Sequence, residues 1–234
     1  MRKALAAALA LIFSASAASA ATPADLDRRV AEAQSVVAEI MRSPDQGIPE
    51  DLLVKCEAIA IYPAVFKGGF ILGARYGRGV VVKRDKKTGK WGPAAFSTIG
   101  GGSWGLQAGV QSTDLILVIM NDRGLEGILS NNLTLGADAS ISAGPLGRSS
   151  EIGTDLSLRA GIFSYSRSRG LFGGIALDGA VLTQDNASNS DYYGRPVSSK
   201  EILLEGKVSH KPATRALADT LNEHSQRFKK RISR

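Results

Sequence analysis

Nucleophilic hydrolysis needs a base beside a serine or cysteine, and this chain of 234 residues carries two histidines, His210 and His224, both near its C-terminus. Its central stretch therefore holds no histidine to serve such a mechanism. Zinc is equally ill served, since the single cysteine, Cys56, stands far from both histidines. Gly100-Gly-Gly-Ser-Trp-Gly105 satisfies the letter of a dinucleotide fingerprint. That fingerprint requires a helix after it, whereas the residues that follow alternate like a strand, so a tight glycine-rich turn is expected. Asp185, Asn186, Asn189 and Asp191 offer oxygen ligands, but no glutamate closes an EF-hand spacing, and a solvated polar loop over 184–194 is expected. These residue types imply no enzyme, no metal and no cofactor.

Basic groups are the other resource. Lys83, Arg84, Lys86, Lys87 and Lys90 crowd a short turn against one acid, Asp85, with Trp91 next in line. Lysines beside an aromatic suit an anionic lipid surface, and they equally suit a solvated hairpin. Arg148, Arg159, Arg167 and Arg169 could hold a phosphate or pair with Asp138, Asp155 and Asp178; structural pairing is the simpler reading. The last segment, 207–234, has eight bases and two acids. Residues 21–206 have nineteen bases and twenty acids, so the positive balance of the chain sits in the tail. Within that tail Leu217, Leu221, Phe228 and Ile232 recur on one helical stripe with Arg227, Lys229, Lys230 and Arg231 beside them. A basic amphipathic helix lies in a membrane interface or docks on its own domain with a solvated face.

Positioning these groups falls to a mixed set of elements. Leu26, Val30, Ala33, Val37 and Ile40 form one stripe and predict a helix over 24–42. A second helix is predicted from Pro49, with Leu52, Leu53, Cys56, Ile59 and Ala60 on its buried face and Pro63 as its stop. Cys56 is expected to be a small buried apolar residue. From Gly68 the pattern turns to strands. Gly68–Arg84 reads as two strands broken near Gly77-Arg78-Gly79, and Leu115–Met120 as a buried strand. A short helix is expected over Gly124–Leu129. Alternation from Leu133 to Ala143 predicts one long strand, 156–162 another, and Phe172–Leu182 a glycine-interrupted one. Short and long helices follow over Lys200–Glu205 and Ala213–Ile232. The expected fold is α+β: a curled antiparallel sheet or barrel-like core with helices at both ends.

The start of the chain reads as a targeting segment. Arg2 and Lys3 precede the apolar run Ala4–Phe13, and Ala18-Ser-Ala20 offers a small-residue cleavage site before Ala21. The run is too short for a membrane span, which needs about 20 apolar residues. Three parts follow: a signal peptide over 1–20, a domain over 21–206, and a basic helix over 207–234. A periplasmic or secreted location is expected. An outer-membrane barrel is permitted by export and alternation, but few aromatics and a helical first third argue against it.

Several separated motifs carry a family resemblance. Tyr62-Pro-Ala-Val-Phe-Lys-Gly-Gly69, Gly73-Ala-Arg-Tyr-Gly-Arg-Gly79, Gly100 to Gly109, Gln111-Ser-Thr-Asp-Leu115, Leu135-Gly-Ala-Asp-Ala139, Ala143 to Arg148, Tyr165 to Phe172 and Tyr192-Tyr-Gly194 together resemble the SYLF domain family over about 50–206. The resemblance implies lipid binding. Eukaryotic members bind phosphoinositides, and yeast members also bind actin. Here the first helix, with Arg28, Arg29 and Arg42 against Asp25, Asp27, Glu32 and Glu39, is not basic. For an exported chain the implied partner is an anionic phospholipid or membrane surface; actin and nucleic acid are not expected, and an envelope protein bound through the tail is the alternative. The candidate lipid contacts are Lys83, Arg84, Lys86, Lys87 and Lys90 with Trp91, and Arg227, Lys229, Lys230 and Arg231 with Phe228.

Overall fold

The computed structural model describes residues 21–42, 47–69, 72–104, 109–130, 132–145, 161–168, 171–174 and 177–232. The expected signal peptide, 1–20, and most of the strand expected at 156–162 lie outside them. Helix α1 (Pro23–Met41) begins with a capping box, in which Thr22 accepts from the Asp25 N–H and Asp25 reaches back to Thr22. Its predicted stripe is buried, joined by Val36 and Arg29.

Helix α2 (Glu50–Lys55) is one short turn and a half, ending where Cys56 turns extended. The predicted continuation to Ala60 is therefore corrected. Ala58–Gly69 is strand β1, at the centre of the sheet between β2 (Leu72–Arg84) and β4 (Gly109–Ile119). The misreading has a physical cause. β1 is covered on both faces, so Ile59 and Ile61 point to one cluster while Ala58, Ala60 and Tyr62 point to the other. A strand buried on both sides loses its polar alternation.

Strand β3 (Trp91–Trp104) pairs with β2 along its whole length. Gly100–Trp104 is thus extended strand, not the expected turn. β2 is also continuous through Gly77 and Gly79, which are close-approach points and not breaks. A Cβ on Gly79 would stand 2.2 Å from the Ile61 carbonyl oxygen and 2.5 Å from the Tyr62 ring.

The chain continues through helix α3 (Asp122–Leu129) and strands β5 (Leu133–Thr134), β6 (Ile141–Ala143), β7 (Ile162–Ser168), β8 (Leu171–Gly174) and β9 (Val181–Gln184). The long strand expected over Leu133–Ala143 is split. Asp138 accepts the Thr134 N–H at 2.7 Å and Gly136 takes φ 89°, folding the segment into a turn. The stretch expected as one strand over Phe172–Leu182 is likewise divided between β8 and β9, with a turn at 178–179. The expected loop over 184–194 is helix α4 (Asn186–Tyr193), capped by Asp185 and closed by left-handed Gly194. Helices α5 (Ser199–Leu203) and α6 (Pro212–Ile232) complete the chain.

The strands form one sheet in the order β5-β9-β3-β2-β1-β4-β7-β6, with β8 on a second stretch of β7. Pairing is antiparallel at every junction except β6–β7, which is parallel. The sheet curls into a half-barrel, an α+β architecture with helices at both ends. Helices α1, α2 and α6 cover one face; α3, α5 and the β5–β6 segment cover the other. No helix among the described residues is long and apolar enough to cross a membrane.

Candidate functional site

The β2–β3 hairpin brings the five predicted bases together. Asp85 shapes its turn, accepting from the Thr88 N–H at 2.6 Å and from the Thr88 hydroxyl, and Gly89 supplies the left-handed residue. The bases are not equivalent. Lys86 lies 2.9 Å from Glu57 and 3.0 Å from Asp122, hydrogen bonds that raise its pKa and offset its charge. Lys83 and Arg84 are half-buried and donate to backbone carbonyls. Lys87 and Lys90 are exposed, without an ion pair among the described residues.

Trp91 does not join them at the surface. It is 3 % exposed, its indole N–H donates to Ser225 at 3.3 Å, and its backbone N–H donates to Asn222. Its expected role as a lipid contact is corrected: Trp91 is a core residue that seats α6 against β3.

Helix α6 packs on α1, α2 and β3, burying Thr214, Leu217, Ala218, Leu221 and Ser225. The docked stripe runs at least to Ser225, while the helix backbone continues to Ile232. The side chains of Arg227, Phe228, Lys229, Lys230 and Arg231 lie outside the described ones.

A third site was not singled out from sequence. Strands β1 and β2 run on beyond the part of the sheet that α1 covers, and the uncovered end carries two exposed rings. Phe66 and Tyr76 are register partners, each 49 % exposed. A groove of about 530 Å³ lies between them and α1, lined by Asp25, Arg28, Arg29, Glu32, Ala64 and Arg78 among others. Arg78 donates from Nε to Tyr76 Oη at 3.1 Å and has no carboxylate within ion-pair distance among the described residues. Arg28 is held by Asp25 at 2.7 Å. Arg29 is 8 % exposed, stacks its guanidinium 5.4 Å from the Phe96 ring centre, and meets Asp185 at 3.4 Å. Burial depresses its pKa, against the opposing pull of Asp185. Asp185 Oδ2 accepts from the Ser188 hydroxyl as well as from Arg29, so the carboxylate is shared between them.

This arrangement can hold an anionic group beside an apolar one. It brings no general base to a nucleophile, and among the described residues no cluster of His, Cys, Asp and Glu could hold a metal. A faint signal was present. Tyr76, Arg78, Val80 and Val82 share one face by strict alternation, and Pro63 interrupts an apolar run as proline does only at a bulge in a central strand.

Comparison with known proteins adds the family. A family model described as Ysc84, Las17-binding protein actin regulator, matches residues 100–224. The human SH3 domain-containing YSC84-like protein 1 is 31 % identical over 212 residues, covering 88 % of this chain and 61 % of that protein. LAS seventeen-binding protein 3 of Saccharomyces cerevisiae is 31 % identical over 216 residues, covering 88 % and 46 %. Protein YSC84 of the same yeast is 35 % identical over 188 residues, covering 79 % and 39 %. The chain thus spans about three-fifths of the mammalian relatives' length and less than half of the yeast ones.

Proposed function

The chain belongs to the Ysc84 (SYLF) family, and from that premise we propose that it is an exported, non-enzymatic module that docks on anionic phospholipid surfaces. The observation that carries this reading is the pair of half-exposed rings, Phe66 and Tyr76, standing beside the Arg78 guanidinium, which has no carboxylate partner among the described residues, at the uncovered end of β1 and β2. Aromatic rings at headgroup depth with cations beside them are the physical design of a peripheral membrane contact. Lys87 and Lys90, and the bases beyond Ser225 in α6, add long-range attraction to such a surface. The pattern of residues 1–20 supports export, and on this reading an exported chain would meet the anionic phospholipid of a bacterial envelope.

A second reading is protein binding. It is favoured by the description of the family model as Las17-binding protein actin regulator and by the name of yeast LAS seventeen-binding protein 3. Sedimentation of the mature chain with phosphatidylglycerol and phosphatidylcholine vesicles separates the two. Salt-sensitive recovery with the anionic vesicles supports lipid docking. Equal recovery with both, or none, would leave the protein-partner reading in possession.

A further inference from the structure

We infer that Asp114 is a positioning residue for the groove, holding a left-handed bulge at Ala64 that turns Phe66 onto the same face as Tyr76. The proposal rests on the docking reading for its functional consequence and on the backbone for everything else.

Strand residues alternate faces, and β1 begins by doing so. Ala58, Ala60 and Tyr62 share one cluster with Leu115 and Leu117, while Ile59 and Ile61 share the other with α1. Continued without interruption, this alternation would send Phe66 to the side of Tyr62 and Val65 to the side of α1. The opposite occurs. Val65 joins the cluster of Tyr62, and Phe66 stands opposite Tyr76 on the α1 side. The swap is made by one extra residue. Tyr62 pairs with Leu115 and Val65 with Thr113, so four β1 residues oppose three of β4; the β2 register shifts by the same one between Ile61 and Phe66.

The bulge contains Pro63 and Ala64. Proline has no N–H to offer the ladder of a central strand, which is why the irregularity falls there. Ala64 adopts φ 51° and is the one non-glycine residue with positive φ among the described residues. A Cβ makes that conformation unfavourable. Asp114 answers it: its Oδ1 accepts the Ala64 N–H at 3.0 Å. The carboxylate is itself fixed, because Arg167, its direct register partner on β7, donates Nε to Oδ2 at 2.8 Å. Glu39 of α1 meets the same guanidinium. The groove's floor is thereby tied to the helix whose other end supplies Arg28 and Arg29.

Thiol labelling tests this without lipid. Cys56 is fully buried with its thiol pushed up to about 12, so it stays silent in the native protein. Phe66→Cys and Val65→Cys, made separately, report which side chain faces outward. The native background is expected to label position 66 more than about tenfold faster than 65, since Phe66 is 49 % exposed and Val65 8 %. Asp114→Ala is expected to erase that contrast, and Asp114→Asn, which keeps the acceptor, to preserve it. Adding Ala64→Gly to Asp114→Ala is expected to restore it, because glycine takes positive φ without a steric penalty. Contrast that survives Asp114→Ala, or that Ala64→Gly fails to restore, overturns the inference. Should Asp114→Ala fail to fold, rescue of folding by Ala64→Gly supports it and lack of rescue overturns it. A native protein that labels as expected yet ignores vesicles would sink the docking reading alone.

Discussion

Replacing Phe66 with alanine separates the apolar part of docking from the electrostatic part. A phenylalanine presents roughly 200 Å² of surface. Phe66 stays 49 % exposed, which leaves roughly 100 Å² to be buried on docking. At about 25 cal/mol per Å², full burial would contribute about 2.5 kcal/mol, or roughly sixty-fold in partition. Stability should change little, because Phe66 belongs to neither core cluster. Arg78→Ala removes a cation with no carboxylate partner among the described residues, worth about 1 kcal/mol or roughly five-fold near the surface. Lys86→Ala should do less, because Glu57 and Asp122 already offset that charge. The assay is sedimentation with phosphatidylglycerol vesicles across salt concentrations, with circular dichroism as the folding control. Phe66→Ala should lower affinity at every salt concentration, and Arg78→Ala should flatten the salt dependence. If both leave binding unchanged while truncation after Ser225 abolishes it, the contact is the end of α6 and the groove reasoning is refuted.

Three further outcomes follow from the packing. Gly79→Ala places a Cβ 2.2 Å from the Ile61 carbonyl oxygen, and backbone cannot yield as a side-chain tip can; urea denaturation should show a loss of about 2–3 kcal/mol, and a loss below about 0.5 kcal/mol would contradict the close-approach reading. Burial, and secondarily Arg215, holds the His210 imidazole below its ordinary 6.5. The unfolded chain therefore takes up that proton first, so this part of the stability is complete above about pH 6.5 and is lost as pH falls through the lower folded value. The thermal midpoint should drop between pH 7 and pH 5, and His210→Gln should flatten that drop. Cys56 should resist thiol reagents at pH 8 in the native protein and react at the rate of unfolding; rapid native labelling would contradict its burial.

The two long helices, α1 and α6, were the legible part of the sequence. α1 showed its stripe because one face meets solvent. α6 was legible for the same reason. The centre of the sheet was legible only in part. Leu115–Ile119 and Val80–Val82 read as strand, but Ala58–Tyr62, equally apolar without interruption because both its faces are covered, reads as the end of a helix, since such a run fits helix as well as it does strand. α4 was hidden by its polar composition. Asn189 explains why that composition is tolerated: it is fully buried, yet accepts the Phe96 N–H at 2.8 Å and donates to Ser199 and Asn186.

The candidate site was illegible for a different reason. Charge density draws attention to the hairpin and the tail, where bases cluster in sequence. The groove assembles single residues from distant segments: Arg28 and Arg29 from α1, Phe66 from β1, Tyr76 and Arg78 from β2. None stands in a basic run, and Phe66 reaches the groove only because a bulge reverses its face. Local charge counting also overrates Lys86, whose partners Glu57 and Asp122 are 29 and 36 residues away in the chain. What decides a cation's availability to a ligand is whether the fold has already given it a carboxylate. By that criterion Arg78, Lys87 and Lys90 are available among the described residues and Lys86 is not, and of these the proposed docking reading favours Arg78, because the half-exposed rings of Phe66 and Tyr76 stand beside it.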